Sequence, residues 1–449
     1  MFLLHDLKLL GTEAGLDFEI KLDPDKRFYC LFGKNGVGKT NLLQNLGRLL
    51  LAQHSMLTEK TAQGSNRFAE MIRKVELKQS LQNLLLRLPR EILIDKKQVK
   101  APTWTFTTLD VIVERRSINQ VLREDALPAS TWTIDRPIVM IGTSLRGHTA
   151  NVAKQELSFV GNAQQEFVKA YLRTWNAAMA ESMQTEGVAA WIVARLLVNP
   201  AFVVGNSSRA DEVMALCELL AELDPIFQEY FVEGPSGVRK PAISFRDGAL
   251  WFGQTPIDKL ATGYIAVVKI FQEIISAYGA WGGLIGAQDI RGLDGIVLID
   301  ELEAHLHPQW QVNLVPLLKR AFPNTTFIVC THSPILVAQT EEGEAYELLR
   351  TGNQVVTQRL GSPRDWYLAD VYSNAFHIDL PAPGTSRTTD EPTLNELMVS
   401  FSGQVKDYLK ERNANLRGEA LALGEKITAR LPDDDPRRRS VASLRSLLG

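Results

Sequence analysis

Apolar residues come in short runs at both ends of the chain and at helical spacing between them. Residues 2–10, 16–22 and 27–32 read as three strands, and Asp23-Pro24-Asp25 marks a tight turn between two of them. The run Phe28-Tyr29-Cys30-Leu31-Phe32 has no polar break and reads as a buried strand, with a helix from Asn41-Leu42-Leu43 onward. Residues 53–100 are polar and read as helical, with Met71, Val75, Leu77, Leu81, Leu84 and Leu85 near helical spacing. Alternation over 104–115 predicts a strand, as does the apolar run 137–142. Residues 151–235 read as mostly helical, with Phe167, Tyr171, Trp175 and Met179 four apart. That aromatic stripe is most simply ordinary helix packing.

The second half returns to strands. Residues 242–252 predict a hairpin about Asp247-Gly248, and residues 346–358 a second one about Thr351-Gly352-Asn353. Residues 265–277 read as a helix, while 277–290 reads as a loop because Gly279, Gly282, Gly283 and Gly286 interrupt it. Residues 296–299 and 326–330 are buried-strand runs. Residues 365–376 read as helical, 381–392 as a Pro/Gly/Thr/Ser linker, and 393–423 and 424–448 as mainly helical. No heptad pattern persists, so a long coiled-coil arm is not expected.

Two segments carry the chemistry. Gly33-Lys34-Asn35-Gly36-Val37-Gly38-Lys39-Thr40 fits G-x-x-x-x-G-K-[ST] without a gap, between a strand and a helix. Glycines there let backbone amides turn onto phosphate oxygens, and the helix start adds positive potential. Far downstream, Ile296-Val297-Leu298-Ile299 ends in Asp300-Glu301. Acids at the C-terminal end of a buried parallel strand suit a metal–phosphate site. The expected assignment gives Lys39 the β/γ-phosphates, Thr40 and Asp300 the Mg²⁺, and Glu301 the attacking water. Three further stretches follow the same order: Leu260-Ala261-Thr262-Gly263-Tyr264 before a helix, Leu302-Glu303-Ala304-His305-Leu306-His307-Pro308, and Thr331-His332-Ser333-Pro334 after a strand. A metal cluster of Asp300, Glu303, His305 and His307 and a hydrolase pair of His332 and Ser333 are the competing readings of these residues.

Taken in order, these motifs resemble the ABC-type ATPases, specifically their RecF/SMC/OLD-like branch, over roughly residues 1–52 and 240–360. The resemblance implies an α/β fold: an ABC-type P-loop ATPase head, a mixed sheet with flanking helices, plus a mainly helical insertion and a helical C-terminal tail. It implies an N-terminal lobe at 1–52, an insertion with additional head strands at 53–239, a C-terminal lobe at 240–360 and the tail at 361–449. It implies ATP and Mg²⁺, with Gly33, Asn35, Gly36, Gly38, Lys39, Thr40 and Asn41 on the nucleotide, and Glu301 and His332 in catalysis. Paired heads would let Thr262 and Gly263 cap the γ-phosphate held by a second copy. The family's usual signature serine is replaced by Ala261, and its glutamine has three candidates in Gln120, Gln164 and Gln165.

In layout the chain is similar to ATPase subunits of bacterial anti-phage defence systems, PARIS first, with Septu and retron-associated ATPases next. Such subunits assemble with themselves, hold an effector in a separate chain (a nuclease, the Toprim type among the candidates) and respond to a phage-encoded trigger. A DNA-repair or DNA-clamping ATPase is the alternative, and nucleic-acid binding is left open.

Composition narrows this a little. A net charge of −3 gives no general basic surface, which argues against tight nonspecific nucleic-acid binding. Cys30, Cys217 and Cys330 are three in number and far apart, which fits reduced thiols in the cytoplasm. The start lacks the basic n-region of a signal peptide, and no apolar stretch is long enough to span a membrane.

Overall fold

A computed structural model describes residues 5–54, 87–89, 91–94, 97–98, 134–143, 163–180, 187–196, 209–233, 239–246, 249–378, 394–431 and 437–448. The chain divides into two compact units, Met1–Val371 and Tyr372–Gly449. The expected strand at 104–115, the leucine pattern of 71–85 and the linker at 381–392 lie outside the described residues.

Among the described residues, the first unit is built on a mixed sheet of ten strands. These are β1 (Asp6–Leu10), β2 (Asp17–Lys21), β3 (Phe28–Phe32), β4 (Glu91–Ile94), β5 (Lys97–Gln98), β6 (Ile138–Ile141), β12 (Ile296–Ile299), β13 (Thr326–Cys330), β14 (Ala345–Thr351) and β15 (Gln354–Arg359). Between β6 and β12 come the pair β7 (Phe231–Glu233) and β8 (Arg239–Pro241), then a small sheet of β9 (Ile243–Arg246), β10 (Ala249–Phe252) and β11 (Thr255–Pro256). The order in the large sheet is β5-β4-β1-β2-β15-β14-β3-β13-β12-β6.

Sequence pattern sorts the strands within it. Every residue of β3, β6, β12 and β13 is buried, as expected for parallel strands covered on both faces, and these four neighbours do pair in parallel. The antiparallel strands β1 and β2 instead alternate buried and partly exposed positions, with one face on the core. The result is an α/β head with a parallel core and a largely antiparallel flank, in line with the expected ABC-type class.

Helix α1 (Lys39–Ala52) follows β3, and α2 (Ala163–Met179) packs close to it. The aromatic stripe is core: Phe167, Tyr171 and Trp175 are buried, and Phe167 and Tyr171 surround His54 together with Trp281. Helices α3 (Val188–Leu196) and α4 (Ala210–Leu223) complete the helical part. Arg195 is buried between Glu212 and Glu166, its Nε donating to Glu212 at 2.6 Å, so its charge is compensated where water is absent.

Three expectations need correction. Of residues 277–290, read as a loop, 277–285 are helix: α5 runs Thr262–Ile285, and Gly286 in the left-handed region ends it and leaves only 286–290 as loop. The glycines inside it serve close packing, because a Cβ at Gly283 would lie 3.0 Å from the Ala163 Cβ and one at Gly279 would collide with the Glu212 carboxylate. Residues 91–94 and 97–98 within the stretch read as helical are strands, with β4 pairing antiparallel to β1. Among the described residues from 394 on, the second unit shows the helices α9 (Leu394–Glu411), α10 (Ala414–Arg430) and α11 (Arg437–Ser446), so the break falls at Arg412 and Asn413 rather than at residue 424. Arg412 has φ 52° and the Asn413 side chain caps α10, whereas Gly424 sits inside α10 against Phe401. Before these come α6 (Pro308–Ala321), the short α7 (Pro334–Val337) and, at the division between units, α8 (Leu368–Asn374). Among the described residues no helix is long and apolar enough to cross a membrane.

Candidate functional site

Register brings the chemistry to one end of the parallel core. Val329 of β13 lies opposite both Ile299 of β12 and Cys30 of β3, so these strands end nearly level. Their C-terminal ends deliver the glycine loop, Asp300-Glu301 and Thr331-His332. Gly38 enters α1 with φ 111°, and a Cβ there would come 2.8 Å from Leu16 Cδ1, so the turn requires glycine. Gly33 and Gly36 also have positive φ. Lys34, Asn35 and Gly36 form an exposed crest, and Lys39 is buried beneath it.

The Lys39 ammonium donates to the carbonyls of Gly33 at 2.7 Å and Lys34 at 3.2 Å. Burial lowers its pKa from the usual lysine value, while Asp300, Glu303 and Glu301 are among the groups that oppose this. Thr40 Oγ1 donates to Asp300 Oδ2 at 2.7 Å. A hydroxyl and a carboxylate at one point are hard oxygen donors of the kind Mg²⁺ takes, so this pair fits that ion. Asn41 lies one residue on and accepts through its carbonyl and side-chain oxygens from the Asn45 amide.

Glu301 holds φ 47°, a left-handed conformation that costs a non-glycine residue about 1–3 kcal/mol. The residue turns the chain sharply out of β12 as the acid pair ends the strand. His332 is half-buried; burial lowers its pKa below the ordinary histidine value, the Lys39 charge acts in the same direction, and Glu303, Glu301 and Asp300 oppose both. Its backbone N–H donates to Glu303 Oε1 at 2.5 Å and the Thr331 hydroxyl to Glu303 Oε2 at 2.6 Å. The sequence drew attention to Glu303 only as one member of a metal cluster. Its carboxylate is turned to the Thr331–His332 segment, and among the described residues no group of three or more His, Cys, Asp or Glu is placed to hold a metal ion. Arg350 was not singled out at all, yet its Nη1 donates to the Gly36 carbonyl at 3.1 Å. Its position at the end of β14, a sheet neighbour of β3, is a tertiary fact with no local signal.

Thr262 and Gly263 open α5, and their neighbours differ from those of Lys39 and Asp300. A Cβ at Gly263 would lie 2.7 Å from the His305 carbonyl and 3.4 Å from Trp310, so the start of α5 rests against the loop after β12. Trp310 is itself fixed by Tyr264, with ring centroids 4.9 Å apart, and by a 2.6 Å bond to Asp224 Oδ2. Ala261 occupies the cap position and provides no side-chain cap. The first-turn amides of α5 therefore lack a hydroxyl acceptor from that residue. Of the glutamines, Gln164 and Gln165 sit in the first turn of α2, and Gln120 is outside the described residues. Cys30, Cys217 and Cys330 are buried and unpaired with one another.

Comparison with known proteins adds relatives. Residues 283–338 match the family described as "AAA domain, putative AbiEii toxin, Type IV TA system". The chain is 27% identical over 231 residues to Septu protein PtuA of Bacillus mycoides (strain KBAB4), covering 49% of this chain and 28% of that relative. It is 38% identical over 96 residues to the "Retron Ec83 probable ATPase" of Escherichia coli, covering 20% and 18%. A second Septu PtuA, from Bacillus thuringiensis, is 22% identical over 348 residues, covering 75% and 73%. The matched stretch thus spans well under two thirds of the first two relatives. Among solved structures, an SMC head bound to the C-winged helix domain of ScpA overlaps with a TM-score of 0.37 at 15% identity, covering 81% of this chain and 99% of that one.

Proposed function

We propose that this chain, a relative of Septu and retron ATPases, is an ATP-binding and ATP-hydrolysing switch subunit in anti-phage defence. The observation that carries the ATPase reading is the meeting of Thr40 and Asp300 at the mouth of the glycine loop, beside the buried Lys39. In this reading the loop amides and Lys39 bind the β- and γ-phosphates. Thr40 and Asp300 hold Mg²⁺, which when bound supplies positive charge against the phosphate oxygens. Glu301 orients the attacking water and takes its proton. His332 donates one ring N–H to the γ-phosphate; burial and the Lys39 charge favour its neutral form.

The start of α5 completes a second copy's site. Thr262 is exposed, and the first-turn amides with the helix dipole suit an anion arriving from outside the chain. With Ala261 in the cap position, that recognition falls to backbone amides and the Thr262 hydroxyl. The paired heads then carry a separate effector protein, a nuclease by the likeness to defence systems, and release or activate it when a phage component is sensed. Lys39→Ala tests the reading: nucleotide binding and protection against phage should both be lost. Unchanged ATP affinity in that variant would refute it.

A further inference from the structure

The third acid after β12 has both carboxylate oxygens committed to one short segment. Glu303 Oε2 accepts the Thr331 hydroxyl at 2.6 Å and Oε1 accepts the His332 backbone N–H at 2.5 Å. The loop is shaped for this. Glu301 and His305 take left-handed backbones, and the N–H groups of Ala304 and Leu306 close turns onto the carbonyls of Glu301 and Glu303 at 2.8 Å. On the far side, the Thr331 hydroxyl accepts the Ser333 N–H at 2.9 Å, and the Ser333 hydroxyl donates to Gln311 of α6 at 2.5 Å. Thr331 is fully buried, so its hydroxyl has no water to replace a lost partner. Bonds to an ionised carboxylate are about twice as strong as neutral ones. The peptide that aims His332 out of β13 is therefore set by Glu303.

We propose that Glu303 is the positioning residue of His332: its carboxylate fixes the Thr331–His332 peptide so that the imidazole meets the γ-phosphate, and it touches neither nucleotide nor metal itself. This rests on the reading of His332 as the γ-phosphate donor. The test measures steady-state ATP hydrolysis and nucleotide affinity for Glu303→Gln, Thr331→Val, His332→Ala and the double variant Glu303→Gln/His332→Ala. Glu303→Gln keeps the shape but loses the charge, and Thr331→Val removes one of the two bonds, which keeps the test available should the first variant fold poorly.

Each single variant should lower kcat by about 10–100-fold, the scale for a misplaced catalytic group, with ATP affinity retained. The double variant should be no slower than His332→Ala alone, because Glu303 acts through that residue. Wild-type kcat in Glu303→Gln alongside a slow His332→Ala overturns the positioning role and leaves the ATPase reading standing. Penalties that multiply in the double variant, or a loss confined to ATP affinity, also overturn it. A His332→Ala protein that hydrolyses ATP at the wild-type rate removes His332 from the site instead.

Discussion

Thr40 and Asp300 lie 260 residues apart in the chain, and the Thr40 hydroxyl donates to Asp300 Oδ2 at 2.7 Å. The pairing follows from the sheet: β13 lies between β3 and β12, so the loop after β3 faces the acids after β12. Asp300→Asn keeps the acceptor and removes the charge. Hydrolysis in this variant should need a higher Mg²⁺ concentration for half-maximal rate, because a neutral amide holds the ion less well than a carboxylate. A Mg²⁺ titration of ATPase activity checks this, and an unshifted midpoint would take Asp300 out of the metal site.

Acid should weaken the fold through His54. Its ring is buried among Phe167, Tyr171 and Trp281, and burial lowers its pKa from 6.5 to about 4. The unfolded chain binds a proton below about pH 6.5 that the folded chain refuses, so this contribution to stability is intact above that pH. It is lost as pH falls from 6.5 toward 4, amounting to about 2 kcal/mol by pH 5. Thermal melts of wild type and His54→Phe at pH 7.5 and 5 measure it. The wild type should lose more Tm on acidification than the variant, and equal losses would show that His54 is not the group responsible.

A composite site between copies should reveal itself in mixtures, and the geometry dictates which variant to mix. Gly263→Asp is unsuitable, since any Cβ there meets the His305 carbonyl at 2.7 Å and disturbs the loop that also carries Glu303. Thr262 is exposed at the helix start, and Thr262→Asp would repel an incoming phosphate while leaving that contact alone. Lys39→Ala and Thr262→Asp should each be inactive alone and regain partial ATPase activity when mixed, because some sites then pair an intact loop with an intact helix start. Mixed oligomers without any recovery would count against the in-trans arrangement.

The glycine loop and the acid pair were legible because each is a contiguous pattern tied to a strand end, and the largely apolar runs of β3, β6, β12 and β13 pointed to buried strands. The end of α5 was not, because Gly279 and Gly283 look like helix breakers until Glu212 and Ala163 are seen pressing on the bare backbone. Strands β4 and β5 were missed for a related reason: Glu91–Ile94 is strand because β1 offers it an edge, a partner more than eighty residues away. Glu303 shows the limit most plainly. Its residue type, beside His305 and His307, admits a metal cluster only as a competing reading and says nothing of a partner in Thr331; the left-handed turn at Glu301 sends the carboxylate to Thr331 and His332.

The role of Glu301 is read most directly from single-turnover ATP hydrolysis by Glu301→Gln, with nucleotide binding measured on the same preparation. Glu301 stands one residue beyond Asp300, in a backbone conformation that costs free energy to hold. ATP and Mg²⁺ should still bind with near wild-type affinity while the chemical step slows by about 10²–10⁴-fold, the scale for removal of a general base. Hydrolysis at the wild-type rate with binding intact would contradict it.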